Sequence, residues 1–471
     1  MNLTDVCFAG AAAQAALLRS GELSSRELVA ECLRRIERYD QDLNSFRLVF
    51  ADQARQAAHE ADERRARGED APLLGVPVAV KEDLAIGGLP TTTGTEGVTR
   101  VEPVDGEVVR RLRAAGAVIV GRTRMPELGL WPFTQSPFAG TTRNPWSSEH
   151  SAGGSSGGSA AAVSAGLVGA AIGTDGAGSI RIPSASTGVF GLKPQRGRIS
   201  LHPKGEVWDG LVAAGPITRH VQDWALVADQ LWGGLPGDPV TAQAPRTSFA
   251  EAAATEPGRL RVVVSLRPWG VGVPVHPEVR DAVLDTASLL TDLGHEVVRA
   301  DPGMREAAGQ LNFSARYLHA AAVSAAELDR PDRLSRRTRQ TVAMGRLLPR
   351  SLAGAVLRAG AGFAQHANRI FGRFDLLLTP VLTQPPMRSA QWEGRATVPT
   401  LLAASRYTAF LHLWNVAGNP AASVPAGHTA SGLPLAVQLV GRQHDECTVL
   451  SLAAQLERVR PWADRRPPGF D

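Results

Sequence analysis

The sequence predicts an α/β fold around a mostly parallel sheet, with a helical layer packed at its N-terminal end. Three observations predict it. The first 65 or so residues read as helices, short apolar runs then alternate with helical stretches, and no long linker interrupts the 471 residues. In chain order, Ser24 and Glu27 form an S-x-x-E capping box, after which Leu28, Val29, Cys32, Leu33 and Ile36 recur at helical spacing. Asp52–Gly68 is a second, charged and Ala-rich helical stretch. From about residue 71, Val76–Val80, Ala117–Gly121, Val168–Gly173, Leu260–Leu266, His295–Arg299 and Leu376–Val381 read as buried strands. Gly106–Ala115 and Pro277–Leu293 read as helices between them, the second with Pro at its start, where the missing N–H costs nothing. Leu433–Val440 is the last clear strand and Cys447–Arg458 the helix after it. The expected organisation is one domain over 1–471: a helical layer (1–70), a central segment (71–200), and the rest of the sheet with its covering helices (201–471).

Composition excludes several function classes. Lys and Arg total 50 against 46 Asp and Glu, and a net charge of +4 is too small to imply a nucleic-acid partner. The arginines of Arg330–Arg350 are expected on a solvated helix face. No apolar run reaches the length that spans a bilayer, and the N-terminal segment, carrying Asp5 and no basic region, does not read as a secretory signal. Cys7, Cys32 and Cys447 are too few and too scattered for a disulfide framework or a zinc site, so a reduced, cytoplasmic setting is expected. Only three of the 50 cationic residues are lysines, namely Lys81, Lys193 and Lys204. That bias is the mark of a GC-rich coding sequence in which Arg replaces Lys wherever any positive charge suffices. The lysines that remain are enriched for places where Arg would fail, and Arg cannot act as a base.

The unusual segment is Ser151–Ser159 (SAGGSSGGS). Alone it would read as a flexible linker. It runs instead into a small-residue helix at Ala160–Gly166, then the Val168–Gly173 strand, then a second Gly-rich turn, Gly173–Ser179 (GTDGAGS). Two such turns around one helix–strand unit point to backbone held close to a ligand. A phosphate cradle is one reading, but neither G-x-x-x-x-G-K-[ST] nor G-x-G-x-x-G is present. A nucleophile elbow is another, since Gly153–Gly157 fits G-x-S-x-G. That motif needs a strand directly before its Ser, and NPWSSEH is a poor one. Its base would have to be His150, which is too near in sequence, or His412, His428 or His444. The third reading pairs a serine with a buried, neutral lysine as base, and Lys81, closing the GVPVAVK run, is placed for that role.

At this point the residues resemble the amidase signature family of serine hydrolases. GVPVAVKEDL (Gly75–Leu84) resembles its lysine segment, and GGSSGGSAAAVSAG (Gly153–Gly166) with GTDGAGSIRIPSASTGVFGLKP (Gly173–Pro194) resembles its signature. TTRNPW, GPITRHVQD, FDLLLTP, AGNPAASVPAG and GLPLAVQLVG follow in the family's order, out to about residue 442. The resemblance implies a three-layer α/β/α fold with one large twisted mixed sheet, and neither metal nor cofactor. It implies Ser179 as nucleophile, Ser155, after a cis peptide bond to Gly154, as bridging serine, and Lys81 as base. The oxyanion would be held by backbone N–H groups of Gly176, Ala177, Gly178 and Ser179. The family's two glycines before the nucleophile are here Ala177-Gly178, which puts the geometry of that turn in question. Asp175, Arg181 and Lys193 are expected to be structural. Trp131, Phe133 and Phe138, in the loop before the signature, are candidate pocket residues.

The function implied is hydrolysis of small or aryl amides, esters or carbamates through an acyl-enzyme, by a monomer or homodimer with no nucleic-acid or membrane partner. Two rivals are a glutamine amidotransferase subunit of tRNA-dependent transamidation and an inactive family member serving as a binding module.

Overall fold

Eleven strands form one sheet in the computed structural model, which describes residues 2–270, 272–349 and 352–470. In chain order the strands are β1 (Phe46–Val49), β2 (Pro77–Lys81), β3 (Val118–Thr123), the small pairs β4 (Gln135–Ser136) with β5 (Gly140–Thr141) and β6 (Arg143–Asn144) with β7 (Ser147–Ser151), β8 (Ala170–Asp175), β9 (Phe190–Lys193), β10 (Ala213–Thr218), β11 (Arg261–Val264), β12 (Glu296–Arg299), β13 (Leu376–Pro380), β14 (Ala421–His428) and β15 (Pro434–Gly441). Across the sheet they run β1-β3-β2-β8-β10-β9-β14-β15-β13-β11-β12. Each run read as a strand is one, and Gly106–Ala115 and Pro277–Leu293 hold the helices Glu107–Ala114 and Pro277–Asp292.

The sheet is mixed, as the family resemblance implies, and the mostly parallel sheet read from the alternation of apolar runs and helices is corrected. β2 is parallel to β3 and β8, and β11 to β12 and β13, but all the other neighbours are antiparallel. The antiparallel strands β10 (AAGPIT) and β14 (AASVPAGH) are rich in Gly, Ala and Pro, residues that strands ordinarily avoid, and β9 (FGLK) is only four residues long. Their pairing is imposed by neighbours. The N-terminal layer is not purely helical either: β1 forms the sheet edge against β3. Ser147–Ser151 is a strand after all, but in a two-stranded pair with Arg143–Asn144 outside the main sheet, so it does not lead into an elbow.

Both faces of the sheet are covered, which explains the uninterrupted apolar runs. Val262, Val264, Leu376 and Leu378 pack under the helices Val221–Leu231, Pro277–Asp292 and Glu446–Val459, while Val263 and Leu377 point the other way, toward Phe363, Phe371 and Trp414. In the other half, Val78, Val80 and Ile172 face Leu28, Leu112 and Leu231, and Ala79, Val118 and Ala171 face Val29, Leu33 and Ala162. Each such fully buried Val or Leu contributes roughly 1.5–3 kcal/mol. The capping box exists: Ser24 Oγ accepts from Glu27 N at 3.2 Å, and Glu27 Oε2 accepts from Ser24 N at 2.9 Å, opening the helix Ser25–Leu43.

The arginine-rich stretch forms the helix Arg336–Arg346, with Arg337 turned inward over the rings of Trp131 and Phe133; Arg350 lies outside the described residues. Among the described residues, no helix is long and apolar enough to cross a membrane.

Candidate active site

Parallel pairing of β2 with β8, in the register Val80↔Ile172, brings the carboxyl ends of the two strands side by side. Lys81 ends β2 and Thr174-Asp175 end β8, at the position where open α/β sheets bind ligands. The helix Gly157–Ser164 returns beneath them, so the Ser151–Ser159 loop and the Gly173–Ser179 turn meet above the same strand ends. Ser156 ties the two: its N–H donates to Ser179 O at 3.1 Å, and its hydroxyl donates to Thr174 O at 3.2 Å. The Gly154–Ser155 peptide is cis. Only glycine fits at 154, because a Cβ there would lie 2.7 Å from Trp131 O and Phe133 N.

Lys81 is buried, with Nζ 2.8 Å from Ser155 Oγ and 2.7 Å from Thr174 Oγ1, and Thr174 Oγ1 donates to Asp83 Oδ2 at 2.6 Å. Nζ also lies 3.4 Å from Thr174 O and 3.5 Å from Asp83 Oδ2. Burial lowers the Lys81 pKa, and the carboxylates of Asp83, Asp175 and Glu82 only partly oppose it. Ser155 and Ser179 line the same cavity, but no hydrogen bond joins their hydroxyls among the described residues. Catalytic hydrogen bonds are often loose before substrate binds.

The turn before Ser179 is clamped from one side. Asp175 accepts from Gly178 N at 2.7 Å and from Ile180 N at 3.2 Å, and it pairs with Arg181 through two bonds of 3.0 Å. Asn415 Nδ2 adds a further bond to Asp175 Oδ1 at 2.8 Å. Burial alone would raise the Asp175 pKa, but Arg181 outweighs it and holds the carboxyl well below the usual range. Asp175 and Arg181 are therefore structural partners. The N–H of Gly178, expected among the oxyanion donors, is committed to Asp175, whereas those of Gly176, Ala177 and Ser179 make no hydrogen bond among the described residues. Gly178 adopts φ 114°, a glycine conformation, and Ala177 is not in the positive-φ region, so its methyl group is accommodated. Lys193 donates to Pro194 O at 2.8 Å; burial, with the Arg181 charge, pushes its pKa down to about 7.

Two cavities meet at Ser179. One, of about 250 Å³, is lined by Lys81, Asp83, Ser155, Thr174 and Gly176. The other, of about 280 Å³, is mainly apolar, with Trp131, Ala177, Ile182, Phe313, Tyr317 and Leu401 in its wall. Trp131 thus lies at the site, and Phe133 stacks behind it at 5.9 Å. Phe138 lies elsewhere, under the Arg47 guanidinium, and lines neither cavity, because its loop turns away at the β4–β5 hairpin. Of the histidines, His412 borders the apolar cavity, but its Nε2 is 2.6 Å from Gln310 Oε1, and burial pushes its pKa down to about 3. Among the described residues, neither it nor His150, His428 or His444 bonds Ser155 or Ser179, and no group of three His, Cys, Asp or Glu residues could hold a metal ion. Sequence reasoning missed Thr174 and Asp83. Both sit inside the quoted motifs, and a polar pair flanking a buried lysine was the available signal.

Comparison with known proteins bears on this geometry. A family model described as Amidase matches residues 27–450. A relative from Mycobacterium tuberculosis (strain ATCC 25618 / H37Rv), named "Putative amidase AmiB2", is 45% identical over 468 residues, covering 99% of this chain and 99% of its own. A glutamyl-tRNA(Gln) amidotransferase chain from Desulforapulum autotrophicum is 35% identical, with 98% of each chain covered. Among solved structures, a 6-aminohexanoate cyclic dimer hydrolase complexed with substrate superposes with a TM-score of 0.91 at 31% identity, covering 99% of this chain and 100% of that one. A bacterial aryl acylamidase of the amidase signature enzymes gives 0.86 at 29% identity, covering 97% and 98%.

Proposed function

The chain belongs to the amidase signature family of hydrolases acting on amides, and from that premise we propose that it is a single-domain amidase that works through an acyl-enzyme on Ser179, relaying the proton through Ser155 to Lys81. The observation that carries the reading is the buried Lys81 amine 2.8 Å from Ser155 Oγ, in the cavity that also receives Ser179. A neutral amine has two N–H donors and one lone pair. Two Thr174 oxygens, at 2.7 and 3.4 Å, take the donors, which leaves the lone pair for the Ser155 hydroxyl.

As Ser179 Oγ bonds to the substrate carbonyl carbon, its proton moves to Ser155, whose own proton moves to Lys81. The carbonyl oxygen takes the negative charge and is met by the N–H groups of Gly176, Ala177 and Ser179. When the C–N bond breaks, the relay runs backward and protonates the leaving nitrogen, without which an amine is a poor leaving group. Water, deprotonated by the same relay, then releases the acid. Proton return requires the leaving nitrogen on the Ser155–Lys81 side, the first cavity. The acyl group then occupies the apolar cavity of Trp131, Ala177 and Ile182. Aryl esters and carbamates present a similar carbonyl and are candidate substrates beside small or aryl amides.

The test is a release assay on p-nitroanilides, aliphatic amides, aryl esters and aryl carbamates. Ser179→Ala and Lys81→Ala are expected to lower kcat/KM by about 10³-fold or more, the scale on which removing one catalytic member acts. Full activity in both variants would overturn the mechanism. Glutaminase activity that appears only with added partner proteins would instead identify a component of an amidotransferase.

A further inference from the structure

The apolar cavity beside Ser179 has Trp131 in its wall. Next to it lies a third, larger cleft of about 640 Å³, lined by Phe133, Gln135, Arg337, Gln340, Ala396 and Thr397. Among the described residues, one side chain lines both spaces, and that is Trp131. Its position is fixed from the cleft side. The ring stacks on Phe133 at 5.9 Å with planes 16° apart, the Arg337 guanidinium lies 5.3 Å from its centre, and the indole N–H donates to Thr338 Oγ1 at 3.4 Å. Thr338 is held in turn by Glu127, at 2.5 Å. From below, the Trp131 carbonyl abuts Gly154, so the wall and the Ser155 turn share one rigid backbone contact.

We propose that Trp131 is the specificity-determining residue of this amidase and sets the longest acyl group the enzyme accepts; this rests on the reading that the apolar cavity holds the acyl group. Acyl groups that fit between Ser179 and the indole face are substrates. Longer or bulkier ones meet a ring that is braced by three groups and cannot yield to them. A smaller side chain at 131 joins the two spaces and gives long acyl chains a path into the cleft.

The experiment measures kcat/KM for p-nitroanilides from acetyl to dodecanoyl with the wild type, Trp131→Leu, Trp131→Ala and the double variant Trp131→Ala/Ala396→Trp, whose new indole refills the cleft. Thermal melts accompany each protein. The wild type is expected to cut off sharply along the series. The dodecanoyl-to-butanoyl ratio should rise by about tenfold or more in Trp131→Ala, the scale on which a pocket discriminates misfitting methylenes, rise less in Trp131→Leu, and fall back in the double variant. If Trp131→Ala does not fold, the Leu variant decides by the same ratio. An unchanged ratio in the folded variants, or a rise that the added indole does not reverse, overturns the inference while leaving the amidase reading standing. A wild type inactive on every anilide, amide, ester and carbamate overturns both.

Discussion

At the scale of single residues, the proposed mechanism depends on keeping one amine neutral. Burial favours the uncharged form of Lys81, and Asp83, with Oδ2 3.5 Å from Nζ, favours the charged one. Because the proposed base works only when deprotonated, kcat/KM should rise with pH as Lys81 loses its proton and level off above. Asp83→Asn removes the charge that stabilises the ammonium, so the rise should move to lower pH. A pH profile that stays in place or moves upward would contradict the assignment. Residues of this kind were partly legible in the sequence. The scarcity of lysine marked Lys81, and the motifs marked Ser155 and Ser179. Nothing in GTDGAGS announced that Asp175 would occupy the Gly178 N–H, because that bond depends on a turn closed by Arg181 and Asn415, the latter from a distant segment. Phe138 was grouped with Trp131 by nearness in sequence, and the β4–β5 hairpin separates them.

At the scale of elements, local signals gave the helices and distant contacts gave the missing strands. The helix Ser25–Leu43 starts where its capping box lies, since a cap is written within four residues. Ser24→Ala should cost about 1 kcal/mol, read as a lower denaturation midpoint at unchanged slope, because the hydroxyl that accepts the Glu27 N–H is lost. A change within error would mean that the helix start is held by packing alone. β9, β10 and β14 escaped notice for the opposite reason. The Gly, Ala and Pro residues of β10 and β14 carry little strand preference and β9 is only four residues long, so all three exist because β8, β15 and one another supply the pairing. The parallel expectation failed with them, since the alternation of strands and helices was visible and the antiparallel returns were not.

At the scale of the whole molecule, the sheet is what brings the chemistry together. Lys81 ends β2 and Ser179 follows β8, parallel neighbours near one end of the sheet, while Asn415 and Gln438, which fix Arg181 at 2.6 and 2.8 Å, come from the C-terminal half. The half-sheets therefore contribute different things, the proposed relay residues from one and the side chains that brace Arg181 from the other. The fold class was legible because both faces of the sheet are buried, and the family resemblance because its motifs run along the chain in order. The shape of the pockets was not, since the walls at Ser179 combine residues as distant as Trp131, Phe313 and Leu401. In the proposed mechanism Ser179, and not Ser155, takes the acyl group. Intact-mass and peptide mass spectrometry of the enzyme quenched during turnover of a slow aryl carbamate tests it most directly. One carbamoyl adduct is expected on the peptide carrying Ser179, absent from Ser179→Ala. An adduct on Ser155, or full turnover by Ser179→Ala, would contradict it.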